Sequence, residues 1–240
     1  MTEPRRIFFV HLQKTAGTRL IRRIRAQFPE TAVYPLDSDG DEIARVISVD
    51  HLRSVWAARR AEIRVVTGHF PLCTAELLGG DFETATVLRH PLERTVSYLR
   101  HHRRMNQADA ELSLEEVYDD DFRFHGLIHN HMTRMLSLTC EEMDHGALTR
   151  VEFTEERLER AKKRLAEVDV VGLQEDFEGF WGELSSRFGW TFHDEAPRVE
   201  RPPARLSPTF RDRILTDNEH DVELYGFAVR LVAERSRAAA

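Results

Sequence analysis

Apolar residues along this chain fall into short runs rich in β-branched side chains. Longer stretches separate them, in which apolar residues recur every three or four positions. The runs are Ile7–Val10, Ile63–Thr67, Thr84–Leu88 and Val168–Val171. Each is short and nearly continuous in hydrophobicity, the pattern of a strand covered on both faces. The intervening periodicity predicts helices over 18–28, His51–Arg60, Leu92–Arg104, Glu155–Leu165 and Phe177–Phe188. Strands alternating with helices predict an α/β fold with a mostly parallel central sheet flanked by helices. Ser113-Leu114-Glu115-Glu116 reads as a capping box opening a short helix. A last helix is expected from about Phe210, carrying Ile214, Leu215, Leu224, Tyr225, Phe227, Leu231 and Val232. The stretch Ala196–Pro208 holds four prolines and reads as an ordered loop over the site. With no repeat and no low-complexity segment, residues 1–240 are expected to form one domain.

The first strand leads into the most informative segment. Ile7-Phe8-Phe9-Val10 gives way to His11-Leu12-Gln13-Lys14-Thr15-Ala16-Gly17-Thr18, and a helical pattern follows at once. Strand, tight polar loop and helix aim backbone N–H groups and a helix N-terminus at an anion. Lys14 adds a mobile positive charge and the threonines add hydroxyls, which predicts a phosphate or sulfate cradle. Of 34 basic residues only Lys14, Lys162 and Lys163 are lysine. Lysine is a compact point charge and arginine a planar fork, a difference that matters in a crowded loop around a tetrahedral anion. The segment is not the nucleotide-binding loop of common ATPases and GTPases. That loop needs glycines before its lysine, and here Gly17 follows it.

The third run ends in a second candidate: Arg89-His90-Pro91-Leu92-Glu93-Arg94-Thr95-Val96-Ser97-Tyr98. Arg89 stands where the strand stops, Pro91 suits the first position of a helix, and Ser97 lies two turns in. Ligands of parallel sheets gather at the carboxyl ends of strands, so Arg89 and Lys14 should share a rim. An arginine with a nearby hydroxyl is a receptor for a second phosphate.

Together the two segments carry a resemblance. Phe9-Val-His-Leu-Gln-Lys-Thr-Ala-Gly-Thr18 is similar to the 5′-phosphosulfate loop of the family 2, carbohydrate-type sulfotransferases. Arg89-His-Pro-Leu-Glu-Arg-Thr-Val-Ser-Tyr98 is similar to their 3′-phosphate motif. Asn130-His-Met-Thr-Arg134, Val170-Val-Gly-Leu-Gln-Glu175 and Asp221-Val-Glu-Leu-Tyr225 resemble later elements of the same family, so the likeness spans nearly the whole chain. It implies a P-loop-like sulfotransferase fold. It also implies 3′-phosphoadenosine-5′-phosphosulfate (PAPS) as donor, its desulfated form PAP as product, and no metal. Lys14, Thr15, Ala16, Gly17 and Thr18 would hold the phosphosulfate, Arg89 and Ser97 the 3′-phosphate, and Lys14 would also act in catalysis. One departure is His90, where the family usually has aspartate.

Sulfuryl transfer needs a base for the acceptor. His69, in Thr67-Gly68-His69-Phe70-Pro71, ends the second run and is the candidate, since imidazole is a suitable base near neutral pH. Some sulfotransferases of the type it resembles carry a catalytic histidine in a comparable Gly-His element. A structural histidine capping a strand turn is the alternative. His11 reads as a packing neighbour of the loop. His125, His129 and His131 have a spacing that could suggest a metal, without a cysteine or carboxylate to complete the set.

Composition narrows the partners. The net charge of −7 argues against non-specific nucleic-acid binding. No run approaches the roughly 20 apolar residues of a membrane span, and no signal peptide is legible, so a cytoplasmic location is expected. Cys73 and Cys140 read as free thiols. Arginines at 22, 23 and 25, at 59 and 60, and at 100, 103 and 104 read mostly as solvated helix faces. The chain is expected to sulfate a hydroxyl of a small molecule or saccharide. A nucleotide kinase and a non-catalytic nucleotide-binding module are the alternatives.

Overall fold

The computed structural model describes residues 5–79, 81–191 and 206–239. Among these residues five strands form one sheet: β1 (Arg6–Val10), β2 (Val33–Tyr34), β3 (Val65–Val66), β4 (Phe82–Leu88) and β5 (Val170–Leu173). Their order is β2-β3-β1-β4-β5, and every neighbouring pair is parallel. Four of these strands match the apolar runs. β2 is an addition, because two residues followed by Pro35 are too short to make a periodic signal.

Both faces of the sheet are covered, as the continuous apolar runs require. Successive side chains of a strand point to opposite faces. Ile7 and Phe9 join Val65, Val87 and Val170 on one face, under α1 (Gly17–Arg25) and α6 (Phe177–Phe188). Phe8 and Val10 join Val66, Leu88 and Val171 on the other. There they meet α2 (Val49–Arg59), α4 (His131–Ser137), α5 (Glu155–Glu167) and α8 (Glu219–Ala239). A third cluster lies along α3 (Pro91–Met105), where Val96, Tyr98 and Leu99 pack with Val117, Tyr118, Phe210 and Ile214.

The capping box forms: Ser113 Oγ accepts from Glu116 N–H at 3.1 Å, and Glu116 accepts from Ser113 N–H at 2.7 Å. The expected terminal helix is two helices, α7 (Pro208–Asp217) and α8, broken at Asn218. The buried Asn218 amide donates to Ile214 O at 2.8 Å and accepts from Asn130 N–H at 2.9 Å, fixing the break from outside the helix. Most of the loop 196–208 lies outside the described residues.

Of the α1 arginines expected on a solvated face, Arg22 is exposed, whereas Arg23 and Arg25 are not. Arg23 is buried, ion-paired with Glu178 at 3.0 Å, and its guanidinium lies over the rings of Phe177 and Trp181. Arg19 pairs with the same carboxylate, and Arg25 donates to Pro35 O. This clamp ties the helix that follows the anion loop to α6. Both cysteines are free thiols. Among the described residues, no helix is long and apolar enough to cross a membrane.

Candidate functional site

The order β2-β3-β1-β4-β5 sends the chain from β1 to one side of the sheet and from β3 to the other. Loops that diverge in this way open a crevice at the strand ends. The ends of β1, β3 and β4 carry the predicted anion loop, His69 and Arg89.

The anion loop begins where Thr86 Oγ1 caps the last carbonyl of β1, Val10 O, at 2.9 Å. Leu12 N–H turns back to the same carbonyl at 3.0 Å. Lys14 and Ala16 then adopt left-handed backbone, with φ of 69° and 76°. Such conformations cost of order 1–3 kcal/mol each outside glycine and cluster where a loop must present its backbone to a ligand. Thr15, between them, is buried, and its hydroxyl donates to Leu12 O at 2.8 Å. That hydroxyl shapes the loop instead of standing ready for a ligand. Ala16 is the N-cap of α1 and offers no side-chain acceptor. Its carbonyl takes the N–H groups of Arg19 and Leu20. By helix geometry the N–H groups of Gly17 and Thr18 have no carbonyl one turn back, and the positive end of the helix dipole lies there. Thr18 is exposed and Lys14 half-buried.

Arg89 closes the loop from the side. Its Nη1 donates to Lys14 O at 3.2 Å, and its Nη2 lies 3.8 Å from Glu93. The two segments singled out in the sequence are therefore in contact. Glu93 and Ser97 are four apart within α3 and so share one stripe of the helix, with Ser97 half-buried. His90 occupies the N-cap of α3 without capping it. Its ring instead packs edge-on against Tyr225 of α8, with centroids 5.4 Å apart. Proline at the next position lacks an N–H, so the helix start has one donor fewer to satisfy.

His69 approaches from β3. Gly68 turns the chain with φ of 135°, and a side chain there would also collide with the Phe70 ring. His69 N–H donates to Val46 O at 2.7 Å, and ring Nδ1 lies 2.9 Å from His11 O. A carbonyl only accepts, so Nδ1 carries the proton and Nε2 keeps its lone pair. That is the tautomer a general base needs. The His11 ring lies beside it, with centroids 4.4 Å apart. Burial pushes the His69 pKa below the usual histidine value. The His11 carbonyl opposes that shift and the charge of Lys14 adds to it. The His11 pKa is lowered further, by burial, then by His69, then by Lys14.

A polar core that hydrophobic periodicity does not announce lies beneath this site. Arg94 and Arg134, both buried, collect four consecutive carbonyls. Arg134 takes His125 O and Gly126 O, and Arg94 takes Leu127 O and Ile128 O at 3.2 and 2.7 Å. These carbonyls end a helical stretch whose last turn, Phe124–Ile128, is a π-helix, and cations at a helix C-terminus are favourable. Asp221, completely buried, accepts from Met132 N–H, Thr133 N–H and Thr133 Oγ1 at 3.1, 2.7 and 2.8 Å. Asn130 Oδ1 accepts from Asp221 N–H in return. The elements Asn130–Arg134 and Asp221–Tyr225, legible only as weak resemblances, are the two halves of this lock.

The histidines at 125, 129 and 131 do not converge. His129 stacks on Phe124, while His131 is buried and its Nδ1 lies 3.2 Å from Arg134 Nη2. Among the described residues, the three-ligand grouping is exposed Glu155, Glu159 and Glu223.

Burial, then Arg94 and Arg134, hold the His131 pKa well below 6.5. The unfolded chain takes up protons on His11 and His131 near pH 6.5, and the folded chain does not. Their contribution to stability is thus fully present above that pH and lost as pH falls. Between pH 7.5 and 5.5 the unfolding free energy is expected to drop by about 1.4 kcal/mol for each, or about 3 kcal/mol for the two. Urea unfolding at pH 7.5 and 5.5 measures this. A flat profile would mean that these histidines titrate normally in the fold.

No family model and no curated protein matches the sequence. In three dimensions the chain is similar to the crystal structure of a sulfotransferase from Alicyclobacillus acidocaldarius. The TM-score is 0.50 and the identity 16%, over 92% of this chain and 94% of that one. The architecture is a sulfotransferase fold: one parallel sheet with helices on both faces.

Proposed function

We propose that this chain is a family 2, carbohydrate-type sulfotransferase. In this reading it moves a sulfuryl group from PAPS to a hydroxyl of a small-molecule or saccharide acceptor. The observation that carries it is the meeting at one rim of an anion loop with Lys14, an arginine hydrogen-bonded to that loop, and a histidine whose Nε2 is free to accept a proton. The fold is that of a protein described as a sulfotransferase, which agrees with the reading.

As in phosphoryl transfer, the protein supplies position and charge stabilisation more than covalent chemistry. Backbone N–H groups from Lys14 to Thr18 hold the phosphosulfate. Arg89 and Ser97 hold the 3′-phosphate. His69 Nε2 takes the acceptor's hydroxyl proton as the acceptor oxygen bonds to sulfur. The bond from sulfur to the bridging oxygen breaks, Lys14 stabilises the charge left there, and PAP departs. The imidazolium then returns its proton to solvent.

Calorimetry with PAP and AMP tests the donor. Arg89→Ala is expected to weaken PAP binding by about 1.5–3 kcal/mol, the worth of a charge-assisted hydrogen bond, and to leave AMP binding nearly unchanged. Equal losses for both nucleotides would remove Arg89 as the reader of the 3′-phosphate. A labelled-donor screen against hydroxylated metabolites and saccharides identifies the acceptor. A magnesium requirement for transfer would instead favour the kinase alternative.

A further inference from the structure

We propose that His11 is a positioning residue whose imidazole sets the spacing between the anion loop and the base; this rests on reading His69 as that base. Three contacts made by this one residue carry the inference. A Cβ built on Gly17 would overlap His11 Nε2, 1.6 Å away, so the ring edge lies directly against the α-carbon that opens α1. The same ring meets His69 at 4.4 Å between centroids, tilted by 38°. The carbonyl of the same residue accepts the His69 Nδ1 proton at 2.9 Å. Behind it, the Phe9 ring at 5.8 Å limits retreat toward the sheet.

The imidazole is thus a spacer between the first residue of the phosphate-binding helix and the base. It cannot swing away from Gly17 without moving His69, and His69 cannot turn without leaving the His11 carbonyl. When His69 takes the acceptor's proton on Nε2, Nδ1 remains a donor, and its bond to His11 O gains charge assistance. The backbone carbonyl does for His69 what a carboxylate does for the histidine of a catalytic triad. The charged and titratable groups acting on the pair are Lys14 in the loop and His131 of α4. Both imidazoles are kept neutral by burial before anything else.

The test compares Gly17→Ala, His11→Ala, the double variant and His11→Phe, which keeps a ring in the space. Gly17→Ala is expected to weaken PAP binding about tenfold or more, because the added methyl overlaps the imidazole. Adding His11→Ala should restore PAP binding by removing the clash, while kcat stays low. His11→Ala alone should lower kcat on the order of 10²-fold, the effect of a reacting group misplaced by about 1 Å, with PAP affinity nearly unchanged. His11→Phe should recover most of the lost kcat. Nitrogen NMR of labelled histidine should find the Nδ1–H tautomer of His69 in the wild type and a mixture in His11→Ala.

A double variant that binds PAP as poorly as Gly17→Ala would overturn the proposal. So would His11→Ala with wild-type kcat and an unchanged tautomer. The tautomer measurement needs no donor. Failure of the wild type to bind PAP would therefore sink the donor reading and still leave the role of His11 decided.

Discussion

Replacing His69 with alanine is expected to lower kcat by about 10²–10⁴-fold, the usual contribution of a general base, with PAP affinity nearly unchanged. The expectation rests on geometry. Nδ1 is committed to the His11 carbonyl, which leaves Nε2 as the proton acceptor at the strand-end rim. The pH profile is a second readout. A base works in its neutral form, so wild-type kcat should fall as pH drops through the His69 pKa. Burial puts that midpoint below the ordinary histidine value of about 6.5. The alanine variant should lose this acidic limb. If it keeps both the rate and the limb, His69 is a structural histidine and the base belongs to the acceptor loops.

Lys14→Ala is expected to cost about 10²–10³-fold in kcat, the effect of removing one preorganised charge donor from a site of this kind. The lysine sits in left-handed backbone within the loop, and its carbonyl receives Arg89. A second consequence follows from its position. The Lys14 charge lowers the pKa of both His11 and His69. Removing a nearby positive charge raises a histidine pKa, so the acidic limb of the residual activity should move to higher pH. Lys14→Arg should rescue poorly, because a planar fork does not replace a point charge in a tight loop. A Lys14→Ala enzyme with near wild-type kcat would take the lysine out of the mechanism. A wild-type pH midpoint in that variant would show that its charge does not reach the base.

Much of this was legible in the order of residues. Ile7–Val10 announced a doubly buried strand because both its odd and its even positions are apolar. The break to Lys14-Thr15-Ala16-Gly17 and the return of helical period at Leu20 located the tight loop after β1, since strand, turn and helix are properties of neighbours in sequence. Arg89 at the end of an apolar run and Pro91 after it located the second motif by the same reasoning, and Gly68 before His69 located the turn that lifts His69. Other features depended on contacts between distant positions and left no periodic trace. β2 is two residues long and exists only because β3 pairs with it. The helix break at Asn218 is held by Asn130, and the burial of Arg23 is set by Glu178 of α6. The tautomer that leaves His69 Nε2 free is fixed by a carbonyl 58 positions away, and the reach of Arg89 to Lys14 O spans 75. Local sequence determines which way the backbone turns and which residue types stand at each strand end. Which of those residues touch, and therefore which nitrogen carries the proton, is decided by strand order, because side chains distant in the chain become neighbours only when the sheet closes.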